Sequence, residues 1–305
     1  MSHVSRYLEP ALVEHLNHMQ LSARSVVQGA TTGQHKSPIK GASVEFRQHR
    51  FYVPGDEPRR LDWRVLARTD RPYVKEYDEE TNLRCILVLD RSGSMRYGER
   101  ERKFDYAARL LAALAYMMLG QTESVGLAVC GAELEQWLTP HAGPMQLSRI
   151  LDALERTSCE GESKVAQGMH EVAERLERRA LVIVLSDLYE NADKLRGGLA
   201  HLRHERHEVV ALQVVDRDEL EFPFGTWTRF RGMEGERAHL CEPALMRPAY
   251  QEAYARHERA IREMCLALRV DVQQVVTDKP LLESLRMLVS RRARTGAQPR
   301  SGESL

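Results

Sequence analysis

The chain has 305 residues, 43% hydrophobic and 29% charged, a balance typical of folded globular proteins and unlike that of disordered ones. Lys plus Arg and Asp plus Glu are 44 each, so the formal net charge is zero and the basic excess expected of a nucleic-acid binder is absent. The longest apolar run, residues 110–119, is half of what a bilayer requires and ends at Gly120, so no membrane span is expected.

The first twenty residues carry Glu9, Glu14, His15 and His18 and contain no apolar signal-peptide core. The five cysteines (Cys85, Cys130, Cys159, Cys241, Cys265) are odd in number and never spaced as C-x-x-C. Neither a disulfide scaffold nor a zinc ribbon is expected, and a cytoplasmic location fits best.

In chain order, residues 9–21 predict a short amphipathic helix, with Leu12, Val13, Leu16 and Met19 at helical spacing. Residues 28–60 are broken by Gly29, Gly33, Pro38, Gly41, Pro54, Gly55 and Pro58 into turns and short strands. Residues 59–68 read as one or two helical turns carrying Trp63, and 73–79 as an alternating strand. From residue 83 the pattern changes. Strands are predicted at 84–89, 125–130, 134–138, 181–185, 208–214 and 270–275, with helices at about 102–120, 145–156, 165–178, 192–204, 246–268 and 280–291.

Short apolar runs rich in branched residues, such as Cys-Ile-Leu-Val-Leu and Leu-Val-Ile-Val-Leu, suit strands buried on both faces of a mainly parallel sheet. Strand–helix alternation then predicts a doubly wound α/β layer, with 134–138 forming an antiparallel hairpin at one edge. Three regions are expected: an N-terminal helix and β-rich, irregular extension over 1–80, the α/β domain over 81–291, and a disordered tail over 292–305.

In such a sheet the ligand crevice lies beyond the carboxyl ends of the strands, where strand order reverses. The first strand ends Leu89-Asp90-Arg91-Ser92-Gly93-Ser94-Met95, an acid followed by two hydroxyls at alternate positions in a tight loop. These oxygens suit a hard divalent cation, though acids and serines at strand ends also serve as caps for the next helix. Asp187 ends a second strand, and Ser163 stands at the mouth of the helix beginning near 165.

The catalytic alternatives each lack a part. A haloacid-dehalogenase-type phosphatase needs a second acid where Ser92 stands. No phosphate-cradling Gly-x-x-x-x-Gly-Lys-Ser/Thr loop and no Gly-x-Ser-x-Gly elbow is present. His201, His204 and His207 recur at intervals of three, and a solvated polar face explains them better than zinc. Asp56, Glu57, Arg59, Arg60 and Asp62 form either an internal ion-pair network or a surface read by a partner.

The run from Phe46 through Tyr52-Val53-Pro54-Gly55-Asp56-Glu57-Pro58-Arg59-Arg60-Leu61-Asp62-Trp63-Arg64 resembles the signature of the family catalogued as domain of unknown function 58. Ala67-Arg68-Thr69, Val74-Lys75-Glu76-Tyr77, the Asp90–Ser94 loop, Lys103-Phe104-Asp105, Ser186-Asp187-Leu188 and Thr277-Asp278-Lys279-Pro280-Leu281 continue it in order.

The resemblance implies a von Willebrand factor A-like domain with a metal-ion-dependent adhesion site. Its ligands would be Asp90, Ser92 and Ser94 from the first loop and Asp187 from the third. Ser163, which follows Glu162 here, stands where the family offers Thr after Gly. It further implies Mg²⁺ (or Mn²⁺ or Ca²⁺) as cofactor, and as partners a MoxR-type AAA+ ATPase and a client protein supplying a carboxylate. The expected function is non-enzymatic: metal-dependent protein interaction in the assembly or activation of other proteins. A metal-dependent phosphoester hydrolase using Asp90 and Asp187, and a structural adaptor with a vestigial metal site, are the alternatives.

Overall fold

The computed structural model describes residues 6–19, 44–52, 61–69, 71–79, 83–162, 164–234 and 238–297. The chain divides into one unit of residues 1–23 with 83–305 and a second of residues 24–82. The first helix, α1 (Pro10–Leu16), therefore belongs with the α/β unit rather than with the 1–80 extension in which the sequence placed it. Tyr7, Leu8 and Leu16 are buried, and Arg109, Tyr116 and Gln121 bond to Glu9, Asn17 and the Met19 carbonyl.

In the second unit, β1 (Val44–Phe51) pairs antiparallel with β2 (Tyr73–Glu79), with a bulge between Phe46 and Gln48. Between them lies the short helix α2 (Trp63–Thr69). Asp62 is buried and accepts the Val65 N–H at 3.3 Å, so this acid of the signature caps α2. Asp56, Glu57, Arg59 and Arg60 lie outside the described residues.

The α/β unit is built on β3 (Arg84–Asp90), β4 (Ser124–Cys130), β5 (Leu134–His141), β6 (Leu181–Ser186), β7 (Glu208–Val215) and, late in the chain, β10 (Asp271–Val276). They form one sheet in the order β10-β7-β6-β3-β4-β5, parallel throughout except for β5 against β4. The doubly wound sheet and its antiparallel edge hairpin are as the apolar runs predicted. Pro140 is tolerated in β5 because an edge strand needs only one row of partners.

The helices are α3 (Lys103–Gly120), α4 (Pro144–Arg156), α5 (Val165–Arg175), α6 (Ala192–His204), the five-residue α7 (Arg217–Glu221), α8 (Pro243–Ala267) and α9 (Leu281–Ala297). Side chains of a strand alternate between faces. Ile86, Val88, Val182, Val184, Val209 and Ala211 accordingly form one face, under α5, α6 and α8. Helix α3 is apolar nearly all round and buried, packing on the sheet and against α1, α4 and α9.

A small hairpin, β8 (Thr228–Phe230) with β9 (His239–Cys241), was not anticipated. The tail also differs. Helix α9 continues to Ala297, and Arg292 is buried with its guanidinium 3.0 Å from Glu208, so the ordered chain runs past the expected limit at 291.

The chain leaves β3 toward β4 and β5, then returns to the far side of β3 to build β6, β7 and β10. Strand order therefore reverses between β3 and β6, and their carboxyl ends carry Asp90 and Asp187.

Candidate functional site

Three neighbouring strands, β3, β6 and β7, run out into acids: Asp90, Asp187 and Asp216. Each acid turns back on its own loop. Asp90 Oδ1 accepts the Ser92 N–H at 2.8 Å, Asp187 Oδ1 the Tyr189 N–H at 3.1 Å, and Asp216 Oδ1 the Asp218 N–H at 3.0 Å. This turn, closed by a carboxylate two residues back, fixes each acid at the sheet edge. The second oxygens link sideways. Asp90 Oδ2 accepts the Ser186 hydroxyl at 2.6 Å, Asp187 Oδ2 the Lys103 ammonium at 2.8 Å, and Asp216 Oδ2 the Thr277 hydroxyl at 2.8 Å. A polar row thus runs along the carboxyl edge from β3 to β10.

The Ser92 and Ser94 hydroxyls come within 3.0 Å of each other on the first loop. That loop is held against the segment before α5: Gly93 N–H donates to the Gly161 carbonyl at 2.8 Å, and Glu160 N–H to the Arg91 carbonyl at 3.1 Å. Arg91, paired with Glu135, also donates to the Ser158 carbonyl. The structure therefore brings Asp90, Ser92, Ser94 and Asp187 to one place, while Ser163 lies outside the described residues. Among the described residues no three His, Cys, Asp or Glu side chains converge as a metal-binding group, so a cation here would depend on hydroxyl oxygens as well.

The three histidines do not converge. His204 is exposed, whereas His201 Nδ1 lies 2.9 Å from His170 Nδ1. His207 is fully buried, its Nδ1 accepting the Ala180 N–H, and burial pushes its pKa down. The expected solvated face is thus wrong for His207, because the chain leaves α6 before that residue and turns it into the core.

The electrostatics rest on two residues that sequence reasoning did not place in the site. Lys103, the first residue of α3, is buried and donates to both Asp187 at 2.8 Å and Glu219 at 2.7 Å. Burial opposes its charge, but the two carboxylates outweigh it and hold the ammonium above its ordinary pKa. A cation at a helix N-terminus runs against the helix dipole, and that local conflict was the available sequence signal. Glu219, in the capping box of α7, is pushed up by burial, against which Lys103 acts. Asp90 is pushed up to about 6, first by burial and then by the charge of Asp187, with the Ser186 and Ser92 hydrogen bonds in opposition.

Lys103 is shared between Asp187 and Glu219, and Asp90 stands beside Asp187 at the neighbouring strand end. A hard divalent cation takes oxygen ligands of these kinds. The donor set, carboxylate and hydroxyl oxygens at a sheet switch point, fits such an ion.

Curated relatives include the uncharacterized protein Rv1480 of Mycobacterium tuberculosis (strain H37Rv) and the uncharacterized protein Mb1516 of Mycobacterium bovis. Each is 25% identical over 291 residues, covering 93% of this chain and 91% of the relative. Among solved structures, BatB from Bacteroides thetaiotaomicron matches with a TM-score of 0.48 at 13% identity, over 70% of this chain and all of that one. The SpRpn10 VWA domain matches with a TM-score of 0.42 at 14% identity, over 68% and 94%. The family described as Protein of unknown function DUF58 matches residues 48–260, from the first strand through most of α8 and across the whole Asp90–Asp187 edge, and the chain belongs to that family.

Proposed function

We propose that this chain is a cation-dependent protein-interaction module of the von Willebrand factor A type. The observation that supports this reading best is the pair of carboxylates, Asp90 and Asp187, on adjacent strand ends at the switch point, beside two converging hydroxyls. Ser92 and Ser94 would hold Mg²⁺ or Mn²⁺ directly, Asp90 and Asp187 would act in part through water, and Ser163 would add an oxygen. A bound ion would supply positive charge and an exchangeable position for a carboxylate. Asp90 would keep the first loop in shape through Ser92 and Ser186, and Lys103 would hold Asp187 in place.

Binding suits this arrangement better than hydrolysis. Asp90 is fully buried and both its oxygens already accept hydrogen bonds, a poor position for a nucleophile or a general base.

The partner we propose is a MoxR-type AAA+ ATPase, or its client, presenting an Asp or Glu to the ion. One carboxylate contact is a small part of a stable interface, which buries about 1,600 Å² in total. Purification of the tagged chain with the candidate ATPase, with and without EDTA, tests this. Recovery should fall sharply in EDTA and in Ser92→Ala/Ser94→Ala, and recovery indifferent to both would remove the site from the interface.

A further inference from the structure

The β8–β9 hairpin reaches the first loop of the site. Its base is anchored on α8: Phe222 stacks on Tyr250 at 4.5 Å and on Phe230 at 5.7 Å, and Arg247 donates to the carbonyls of Phe222 and Phe224. Its far end meets Gly93 and Ser94. A Cβ at position 93 would stand 2.3 Å from the Met233 carbonyl oxygen, so only glycine lets the two backbones come this close. Next to it, Glu234 Oε1 accepts the Ser94 N–H at 3.4 Å. This carboxylate therefore sits at the more open side of the serine pair, since Ser92 is buried and Ser94 partly exposed. The charge of Glu234 also reaches Glu190, whose pKa is raised chiefly by burial and lowered by the Ala166 N–H, Lys194 and Lys164.

We propose that Glu234 is a ligand supplied by the chain itself, closing the cation site. With the ion bound, its carboxylate takes the position that a partner's Asp or Glu would use, so a partner must displace the end of the hairpin to bind. This rests on the cation-dependent reading above and adds to it a competition within one chain. A carboxylate tethered to a hairpin with an anchored base has a high effective concentration, so only a partner with further contacts displaces it.

Mn²⁺ serves as the probe. Calorimetry gives its affinity, and water-proton relaxation reports how many exchangeable waters remain on the ion. Glu234→Gln and Glu234→Ala should both weaken Mn²⁺ binding, by at least the roughly tenfold loss that follows removal of even an outer partner of a metal ligand. Both should raise relaxivity as water replaces the carboxylate. Millimolar acetate should lower the relaxivity of the variants but not of the wild type. Melting in EDTA establishes that the variants are folded, and Glu234→Gln preserves side-chain shape if the alanine disturbs the hairpin. If Asp90→Ala abolishes Mn²⁺ binding while either affinity or relaxivity is unchanged in the Glu234 variants, the inference fails and the adhesion reading stands. If no Mn²⁺ binding depends on Asp90, both fail.

Discussion

Replacing Lys103 with methionine removes the one ammonium that joins Asp187 to Glu219, at 2.8 and 2.7 Å, while keeping much of the side-chain volume. Lys103 and Asp187 are each 1% exposed, so the change leaves a buried carboxylate without its ammonium. Breaking a buried pair from one side costs about 3–5 kcal/mol, a large share of the ~5–15 kcal/mol that holds a domain together. Glu219, at 19% exposure, adds less because solvent screens it. For a unit of this size each kcal/mol moves the midpoint by about 2–4 °C, so melting in EDTA should fall by about 6–20 °C.

Two further outcomes separate charge from packing. Asp187→Asn combined with Lys103→Met should be more stable than Lys103→Met alone, because no unpaired charge remains beside Asp90. The variant's cation-induced shift should also exceed that of the wild type, since losing the ammonium leaves a deficit of positive charge beside Asp187. Differential scanning calorimetry with and without Mg²⁺ measures both. A Lys103→Met midpoint within a degree of wild type would refute the claim that this ammonium holds Asp187. A smaller cation shift in the variant would show that the ion does not answer to this charge deficit.

Asp90 makes stability depend on pH in a definite direction. Its folded pKa is raised from 3.8 to about 6, so its ionisation opposes folding: stability should fall as pH rises through that window and stay flat below it. In EDTA, the difference in urea midpoint between wild type and Asp90→Asn should therefore change between pH 4 and 6, and an unchanging difference would contradict the burial argument. Gly93→Ala forces a Cβ against the Met233 carbonyl and should cost about 1–3 kcal/mol; a neutral effect in thermal melting would mean that the hairpin does not rest on this loop. Arg292→Ala should cost about 1–3 kcal/mol, toward the low end because Glu208 is about a quarter exposed, and no change would show that α9 ends functionally at 291.

The sheet was legible because residues 85–89 and 181–185 are short apolar runs buried on both faces, each closed by a polar step at the edge. The same feature exposed Asp90 and Asp187, since an acid one or two positions past such a run stands at the carboxyl edge. Lys103 and Glu219 were not legible in this way. They lie 84 and 32 residues from Asp187 in the chain, in opposite directions, and only the fold brings them together. Lys103 belongs to one of the family blocks, and its conflict with the dipole of α3 is the one local sign that its charge serves distant residues. The β8–β9 hairpin escaped notice because three-residue strands are too short to show a period, and Glu234 was missed with it. The end of α6 at His204 was legible, but not that His207, just beyond it, turns into the core instead of facing solvent.

The central claim is that the Asp90–Ser94 loop and Asp187 bind a divalent cation in the folded chain. Thermal unfolding of the wild type and of Ser92→Ala/Ser94→Ala, each in EDTA and in saturating Mg²⁺ or Mn²⁺, tests it most directly. An ion bound only by the folded state, at a hundred times its Kd, should stabilise the wild type by about 2.7 kcal/mol. The shift should vanish in the double variant, which has lost both hydroxyls but kept the carboxylates. Equal shifts in the two proteins, or none in the wild type, would contradict the claim.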